Sequence, residues 1–386
     1  MLELAEIIRV AGPAYLDAHA GRLLPSHRRA LDDIVHCRTP SLGGSLYRCD
    51  DCGALDYRYH SCRNRHCPKC QADRAQAWLD RVQQRLLPCD HYLLTFTLPH
   101  QLRAVARAHQ RVVYAALLRE AAAAVQTLAD DRAWVGGTVG ILAVLHTWTR
   151  TLEYHPHAHL LVTAGGLTAD GQAWLTPAHP RFLVPGYALS AIFRANMQRV
   201  FERAGLAAAV DARVWRRRWT VHGQQIGSGA QATLYLSRYV YRVGLTNQRL
   251  TRFTDGRVTF RYTHAATHEA RSVTLPVDCF LTRLLQHILP RGLTKIRWYG
   301  LLSPGRRPAL ERARSLLAQH SSLPSADPPE RRRATIADPP SVTPTTIPHD
   351  DSPPSTRRAL QCAVCRRGQC VLVQRYARDS HSRAPP

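Results

Sequence analysis

The stretch EYHPHAHLLV, residues 153–162, decides much of what the sequence predicts about the fold. Polar and apolar residues alternate along it, which is typical of a β-strand whose successive side chains point to opposite faces of a sheet. His157 and His159 would lie on one face, about 7 Å apart along the strand. Ala158 and Leu160 would point into a core behind them. Two neutral imidazoles so placed could bind a divalent cation; alternatively, they are two exposed histidines among the twenty in the chain.

Strand and helix patterns alternate on both sides of this stretch. Strands are predicted, in chain order, at HYLLTFTLP (91–99), TVGILAVLHTW (138–148), HAHLLVTA (157–164), WRRRWTVH (215–222), RVTFRYT (257–263) and SVTLP (272–276). Helices are predicted at residues 100–130, 188–204, 231–242 and 277–289. Because regular βαβ spacing is lacking, these patterns favour an α+β fold with a central antiparallel sheet flanked by helices.

A pair of tyrosines occupies the predicted helix 231–242. Tyr235 and Tyr239 are four residues apart and would share one helix face. Phenol is a poor nucleophile at neutral pH, so attack on a phosphodiester would need a nearby cation. Arg238, Arg242 and Arg249 add positive charge to the segment. The alternative is that both rings are core aromatics of an amphipathic helix.

Eleven cysteines, clustered at short spacings, predict a metal site rather than disulfides. Cys49 and Cys52 form one thiolate pair, and Cys67 and Cys70 form a second; two such turns can enclose Zn²⁺ in a tetrahedral cage. Cys37 and Cys62 could replace one of these ligands or contribute to a second site. Near the end of the chain, Cys362-x-x-Cys365 with Cys370 resembles half of a zinc ribbon.

The charge balance predicts a polyanionic partner. Lys and Arg total 52 against 28 Asp and Glu, a formal net charge of +24, with a pI near 10.4. A membrane surface is the weaker option, because Glu3, Glu6 and Arg9 interrupt the apolar start of the chain. The stretch 135–148 is shorter than the roughly 20 residues that span a bilayer. We therefore expect a cytoplasmic protein that binds nucleic acid.

Four regions differ in composition. Residues 1–75 are predicted to hold an N-terminal amphipathic helix, broken near Pro25, and the zinc module. Residues 76–303 hold the alternating strands and helices. Residues 304–360 are rich in Pro and Arg and are predicted to be a disordered linker. A cysteine-containing tail, residues 361–386, follows.

Taken together, these features resemble one family: the two-tyrosine rolling-circle transposases of the insertion sequence 91 type, within the His-hydrophobe-His endonuclease superfamily. The resemblance runs from about residue 15 to 303. It is carried by CRTPSLGG (37–44), YHSCRNRHCPKCQ (59–71), LLTFTLP (93–99), LHTWTRTLEYHPHAHLLVTAGGL (145–167), YLSRYVYRVGLTNQRL (235–250) and HILPRGLTKIRWYGLL (287–302).

The resemblance implies a specific chemistry. His157 and His159 would hold Mg²⁺ or Mn²⁺ against the scissile phosphate. Tyr235 or Tyr239 would attack it, leaving a 5′-phosphotyrosine and a free 3′-OH, and the other tyrosine would serve the second strand transfer. The zinc module would recognise the element ends, and the DNA would be single-stranded.

The sequence departs from similar chains in one respect. They carry a Lys between the WxV strand and the tyrosine helix, whereas this chain reads WTVHGQQIGSG (219–229). Arg216, Arg217 or Arg218 could supply the missing cation and contact DNA. The third metal ligand stays open among four candidates: Glu153, His155, His222 and Gln231.

Two other classes of protein compete with this interpretation. A plasmid replication initiator or relaxase uses the same chemistry but would lack the zinc module. A catalytically decayed, zinc-dependent DNA-binding protein would not need the paired histidines and tyrosines. A zinc protein that binds RNA on its sheet is disfavoured, because the usual aromatic stacking motif is absent from the sequence.

Overall fold

A computed structural model describes residues 1–228, 231, 244–264, 267–321 and 360–378. Its central feature is an antiparallel sheet in the order β11-β4-β5-β3-β7, with β6 paired to β5. The strands of this sheet are β3 (His91–Thr97), β4 (Thr138–Trp148), β5 (Tyr154–Leu167), β6 (Trp174–Leu175), β7 (Val221–Gly227) and β11 (Ile296–Gly300). The expected α+β class with an antiparallel sheet is confirmed.

Helices cover both faces of this sheet. They are α3 (Pro68–Gln83), α4 (Arg103–Ala108), α5 (Gln110–Ala129), α6 (Gly186–Arg203) and α8 (Arg307–Ser321). Ala158 and Leu160 are fully buried on one face, as the alternation predicts, and lie in a core with α5 and α6. Leu161 points to the other face and packs with residues of α3 and α8, including Leu310 and Leu316.

The N-terminal helices belong to a third core. In it, α1 (Leu4–Ala18) and α2 (Pro25–Val35) pack against α7 (Val277–Leu285) and a second sheet. That sheet, in the order β10-β9-β8, consists of β8 (Leu250–Thr254), β9 (Arg257–Thr263) and β10 (Ala270–Pro276). The same core includes Cys37, Cys67 and Cys70, as well as Leu152 from the loop between β4 and β5. The N-terminal region is thus packed onto the loop that joins β4 and β5.

The remaining strands form a third sheet from the two ends of the chain. Its order is β12-β13-β1-β2, from β1 (Gly44–Cys49), β2 (Leu55–Tyr59), β12 (Leu360–Gln361) and β13 (Gln369–Tyr376). The sequence did not predict β1 and β2, which lie in the polar, cysteine-rich stretch.

Several sequence predictions are corrected. Residues 215–222 do not form one strand: a 3₁₀ turn, Ala212–Trp215, precedes the exposed arginines, and β7 begins only at Val221. Residues 307–321 are helical in α8 rather than part of a disordered linker, because Leu310, Ala313 and Leu316 supply an apolar face that the sheet buries. The N-terminal segment forms two helices, and Pro25 begins the second of them.

One helix of the described part of the chain, α5, is long and apolar enough to cross a membrane by length and composition alone. Val113, Tyr114 and Leu117 on this helix are fully buried against the sheet. A buried core helix of a soluble protein passes the same test, so this finding is weak evidence for a membrane span.

Candidate metal centres and DNA-cleavage site

Three histidines meet at one end of the central sheet. His157 and His159 share a face of β5, and β4 places His146 directly across from His157 in the antiparallel register. The ring centroids of His146 and His159 are 4.8 Å apart, as are those of His157 and His159. One ligand nitrogen of each ring lies within 4.8 Å of the others, so the three could coordinate one ion.

The polar partners of His157 and His159 contact the Nδ1 atom of each ring, so that each Nε2 atom could bind a metal. His157 Nδ1 donates to the backbone carbonyl of His155 at 2.7 Å. His159 Nδ1 lies 3.0 Å from Thr95 Oγ1, which can accept its proton. This arrangement directs the Nε2 lone pairs into the group, a pattern common to metal-binding histidines. Burial lowers the pKa of His157 to about 4 and that of His159 to about 3, so both are neutral at pH 7.

His146 is the functional candidate that the sequence analysis missed. It lies in LHTW, the last four residues of an apolar strand. Its distance in sequence from His157 matches no metal-binding motif. Only the pairing of β4 with β5 brings it to the group, where it is 5% exposed. A register drawn for the two predicted strands could have found it.

The four third-ligand candidates named from the sequence lie outside this group of three. The His155 ring accepts a hydrogen bond from Arg103 at 2.5 Å. Glu153 lies 3.7 Å from Arg283. His222 is exposed and lies across from Thr95 on β7, while Gln231 is exposed.

An aromatic side chain and a glycine border the histidines. The Trp148 ring stacks on His146, with centroids 4.9 Å apart and planes at 22°. Gly244 lies against this tryptophan so closely that a Cβ there would be 3.3 Å from its Cγ atom. The chain that immediately follows the tyrosine segment therefore passes beside the histidine group.

A cleft with exposed arginines adjoins the same end of the sheet. It is lined by Thr97, His100, Arg217, Arg218 and Thr220, among others. The antiparallel register makes Thr97 the direct partner of His157. The cleft is thus next to the histidine group, and both arginines are solvent-exposed.

The other predicted site residues have different outcomes. Tyr235, Tyr239, Arg238 and Arg242 lie outside the described residues. Arg216 is exposed in the turn before β7. The guanidinium of Arg249 donates to the carbonyls of Gly244, Arg150 and Arg261, so that it holds backbone segments together.

The cysteines separate into two groups that differ from the predicted cage. Cys67 and Cys70 are grouped with Cys37 and Cys62, the two residues that the sequence marked as weaker ligands. Cys49 and Cys52 instead join Cys362 and Cys365. The single cage of Cys49, Cys52, Cys67 and Cys70 is therefore incorrect. Short spacing identified the pairs, but the pairing of distant strands decides their partners.

The first group, Cys37, Cys62, Cys67 and Cys70, has the dimensions of a zinc site. The Cys70 sulfur lies 3.5 Å from that of Cys37 and 3.6 Å from that of Cys62. Four sulfurs at about 2.3 Å from a tetrahedral zinc would be about 3.8 Å apart. The backbone N–H of Asn64 donates to the Cys62 sulfur at 3.4 Å, which suits a thiolate.

Contacts tie this first group to the rest of the molecule. Arg65 donates to the carbonyls of Leu289, Pro290 and Leu293. His66 Nε2 accepts from the Leu289 backbone N–H at 3.2 Å. The loop that carries the cysteines is therefore fixed to the segment that follows α7.

Two protein families match this chain, one in its N-terminal part and one in the part that contains the three histidines. Residues 7–98 match the family described as "Transposase zinc-binding domain", and residues 140–309 match the family described as "Putative transposase". The chain is 33% identical to "Putative transposase y4qJ" of Sinorhizobium fredii, across 96% of this chain and 95% of that protein. It is 30% identical to the "Transposase for insertion sequence element IS801" of Pseudomonas savastanoi pv. phaseolicola, across 70% and 68% of the two chains. No solved structure matches it significantly.

These matches define a transposase that carries a zinc-binding domain. The chain belongs to the transposases of the insertion sequence 91 type, as the sequence motifs indicated.

Proposed function

We propose that this transposase cuts and rejoins single-stranded DNA by a metal-dependent, rolling-circle mechanism through a 5′-phosphotyrosine intermediate. One observation carries the proposal: His146, His157 and His159 converge on one face of the sheet in a chain that also has Tyr235 and Tyr239. The partner is DNA, at the element ends and the target. The formal net charge of +24 suits that partner.

The three histidines suit a divalent cation, with oxygen ligands completing the shell in the case of Mg²⁺ or Mn²⁺. Bound there, the cation would supply Lewis-acid polarisation of the scissile phosphate. Thr95 and the His155 carbonyl would hold the imidazole rings in position by accepting their Nδ1 protons.

The tyrosine pair would supply the nucleophile. The phenol oxygen of Tyr235 or Tyr239 forms a bond to phosphorus, and the bond from phosphorus to the 3′ oxygen breaks. The phenol proton is transferred to the leaving 3′ oxygen, so the DNA keeps a free 3′-OH. Attack by a 3′-OH on the phosphotyrosine then reverses the exchange at the new junction. The number of phosphodiester-type bonds is conserved in each step, so nucleotide hydrolysis is not required.

Covalent connectivity supports access of the tyrosines to the histidines. Gly244 contacts Trp148, whose ring stacks on His146. Tyr239 precedes Gly244 by five residues, which limits the distance between their Cα atoms to about 18 Å. Nine residues, or about 32 Å, separate Tyr235 from the same glycine. Because fewer residues join Tyr239 to Gly244, we propose Tyr239 as the tyrosine that lies closer to the histidines.

The DNA strand would enter along the cleft beside the histidines. Arg217 and Arg218 are exposed on its wall and can bind phosphates through their guanidinium groups. Arg216, Arg238 and Arg242 extend the proposed contact surface along the sequence. Because Arg249 bonds three carbonyls, we assign it a supporting role rather than the strongest phosphate contact.

A cleavage assay tests the proposal. Labelled single strands that cover the two ends of the encoding element are incubated with the protein and Mg²⁺ or Mn²⁺, then separated on a denaturing gel. We expect a covalent protein–DNA band that requires metal and disappears in the Tyr235→Phe, Tyr239→Phe double variant. The matched control is Tyr187→Phe, an exposed tyrosine of α6.

Two results would contradict the proposal. One is a band that persists in the double tyrosine variant. The other is DNA binding without any covalent band for any end sequence or metal, which would favour the decayed, binding-only protein.

Thr95→Val should weaken binding of the divalent cation by about 10-fold or more, the effect typical of losing a partner of a metal-binding histidine. Valine matches threonine in shape but removes the oxygen 3.0 Å from His159 Nδ1. Titration of Mn²⁺ followed by electron paramagnetic resonance measures the affinity. Thr97→Val, two residues along the same strand, is the control. Equal affinities for the two variants would exclude this role for Thr95.

A further inference from the structure

The second cysteine group joins the two ends of the chain. Cys49 and Cys52 lie at the turn between β1 and β2, and Cys362 and Cys365 lie at the turn between β12 and β13. The Cys49 and Cys365 sulfurs are 3.7 Å apart, and so are those of Cys52 and Cys362. Both values agree with the separation of about 3.8 Å in a tetrahedral zinc–thiolate site.

We propose that Cys49, Cys52, Cys362 and Cys365 bind a second zinc ion, and that this zinc fastens the C-terminal hairpin onto the N-terminal one. The zinc-binding family match ends at residue 98, so it does not include two of these four ligands.

The backbone of both turns has the geometry of a metal-binding turn. The residue directly after the second cysteine has a positive φ in each: Gly53 at 70° and Arg366 at 57°. In the first group, Arg38 and Arg63 directly follow Cys37 and Cys62 and have φ values of 59° and 57°. Such backbone is unfavourable for an arginine and persists only where other interactions enforce it. The second group thus repeats the local geometry of the first.

Hydrogen bonds to sulfur also favour thiolates in the second group. The Cys52 backbone N–H donates to the Cys49 sulfur at 3.5 Å, and the Gly368 N–H donates to the Cys365 sulfur at 3.3 Å. Gly368 lies so close to the site that a Cβ would be 2.5 Å from the Cys49 sulfur. Glycine is therefore required there for the second turn to close around the four sulfurs.

Contacts outside the sulfurs align the two hairpins. β13 pairs with β1 from Gly44 and Tyr376 to Cys49 and Cys370. Asp50 accepts from the Gln369 backbone N–H at 2.7 Å through its side chain. Its own N–H donates to the Gln369 carbonyl at 3.0 Å. The register that these bonds set brings the two cysteine pairs together.

Most side chains of β13 are exposed to solvent. Val371, Val373 and Tyr376 on β13 are 57%, 51% and 39% exposed. Since so little apolar surface is removed from water, the hydrophobic effect contributes weakly to docking. A zinc site whose binding energy is folding energy would provide the missing stabilisation.

Zinc stoichiometry of the full chain tests the proposal. Elemental analysis of the purified protein should give two zinc ions per chain, and the Cys362→Ser, Cys365→Ser double variant should give one. Cys370→Ser, on the same hairpin but outside the four-sulfur group, should retain two. One zinc in the unaltered chain, or two in the double variant, would overturn the proposal.

A second measurement does not depend on zinc counts. A specific protease site is inserted within residues 323–358, and the cut protein is passed over a sizing column with zinc present. The C-terminal piece should co-elute with the rest of the unaltered chain and separate in the double variant. Separation in the unaltered chain, or equal retention in both, would contradict a zinc-fastened tail. Neither result depends on whether the chain cleaves DNA.

Discussion

His157→Ala and His146→Ala should each reduce metal-dependent DNA cleavage by at least about 1000-fold. A bound cation supplies several kcal/mol of charge stabilisation in such reactions, and about 4 kcal/mol corresponds to a factor of 1000 in rate. The two residues are cross-strand partners on β4 and β5, so removal of either leaves two imidazoles in the group. Single-turnover cleavage of an end-labelled strand measures the effect.

A control separates loss of the site from loss of the fold. His91 is a buried histidine at the opposite end of the same sheet, on β3. His91→Ala should retain cleavage in proportion to its folded fraction. If His146→Ala cleaves like His91→Ala, His146 is a core residue and the group consists of two histidines.

Loss of the first zinc group should have the second large effect. Cys67→Ser with Cys70→Ser removes two of its four thiolates, and structural zinc contributes on the order of 10 kcal/mol to folding. Because Cys37, Cys67 and Cys70 are buried in the core shared by α1, α2 and α7, that core should open. Hydrogen exchange over residues 1–70 should become fast, and specific binding to element ends should be lost.

Cys279→Ser provides the matched comparison, because Cys279 packs against the same core but lies outside both four-sulfur groups. It should leave hydrogen exchange over residues 1–70 nearly unchanged. Slow exchange in the Cys67, Cys70 double variant would mean that hydrophobic packing alone holds this region. The zinc would then be dispensable for the fold.

Local pattern was sufficient to predict three strands of the central sheet, β3, β4 and β5. The predicted strand at 138–148 coincides with β4, and the stretch 157–164 lies within β5. Period-two alternation also placed Ala158 and Leu160 correctly in the core, since both are fully buried. These features depend only on neighbours in sequence.

Features that depend on long-range pairing were not predicted. His146 joins His157 through a strand register, and Cys49 meets Cys365 across 316 positions of the chain. The Pro- and Arg-rich composition around residues 307–321 predicts a linker, although an apolar helical stripe runs through them. Sequence spacing identified candidate site residues but left their partners open.

The most direct measurement is the identity of the amino acid that becomes linked to DNA. The covalent complex formed on a single-stranded element end is digested with protease and nuclease, and the modified peptide is sequenced by mass spectrometry. The account predicts a nucleotide joined through its 5′ phosphate to Tyr235 or Tyr239. Attachment at any other residue, or cleavage with no attached nucleotide, would contradict it.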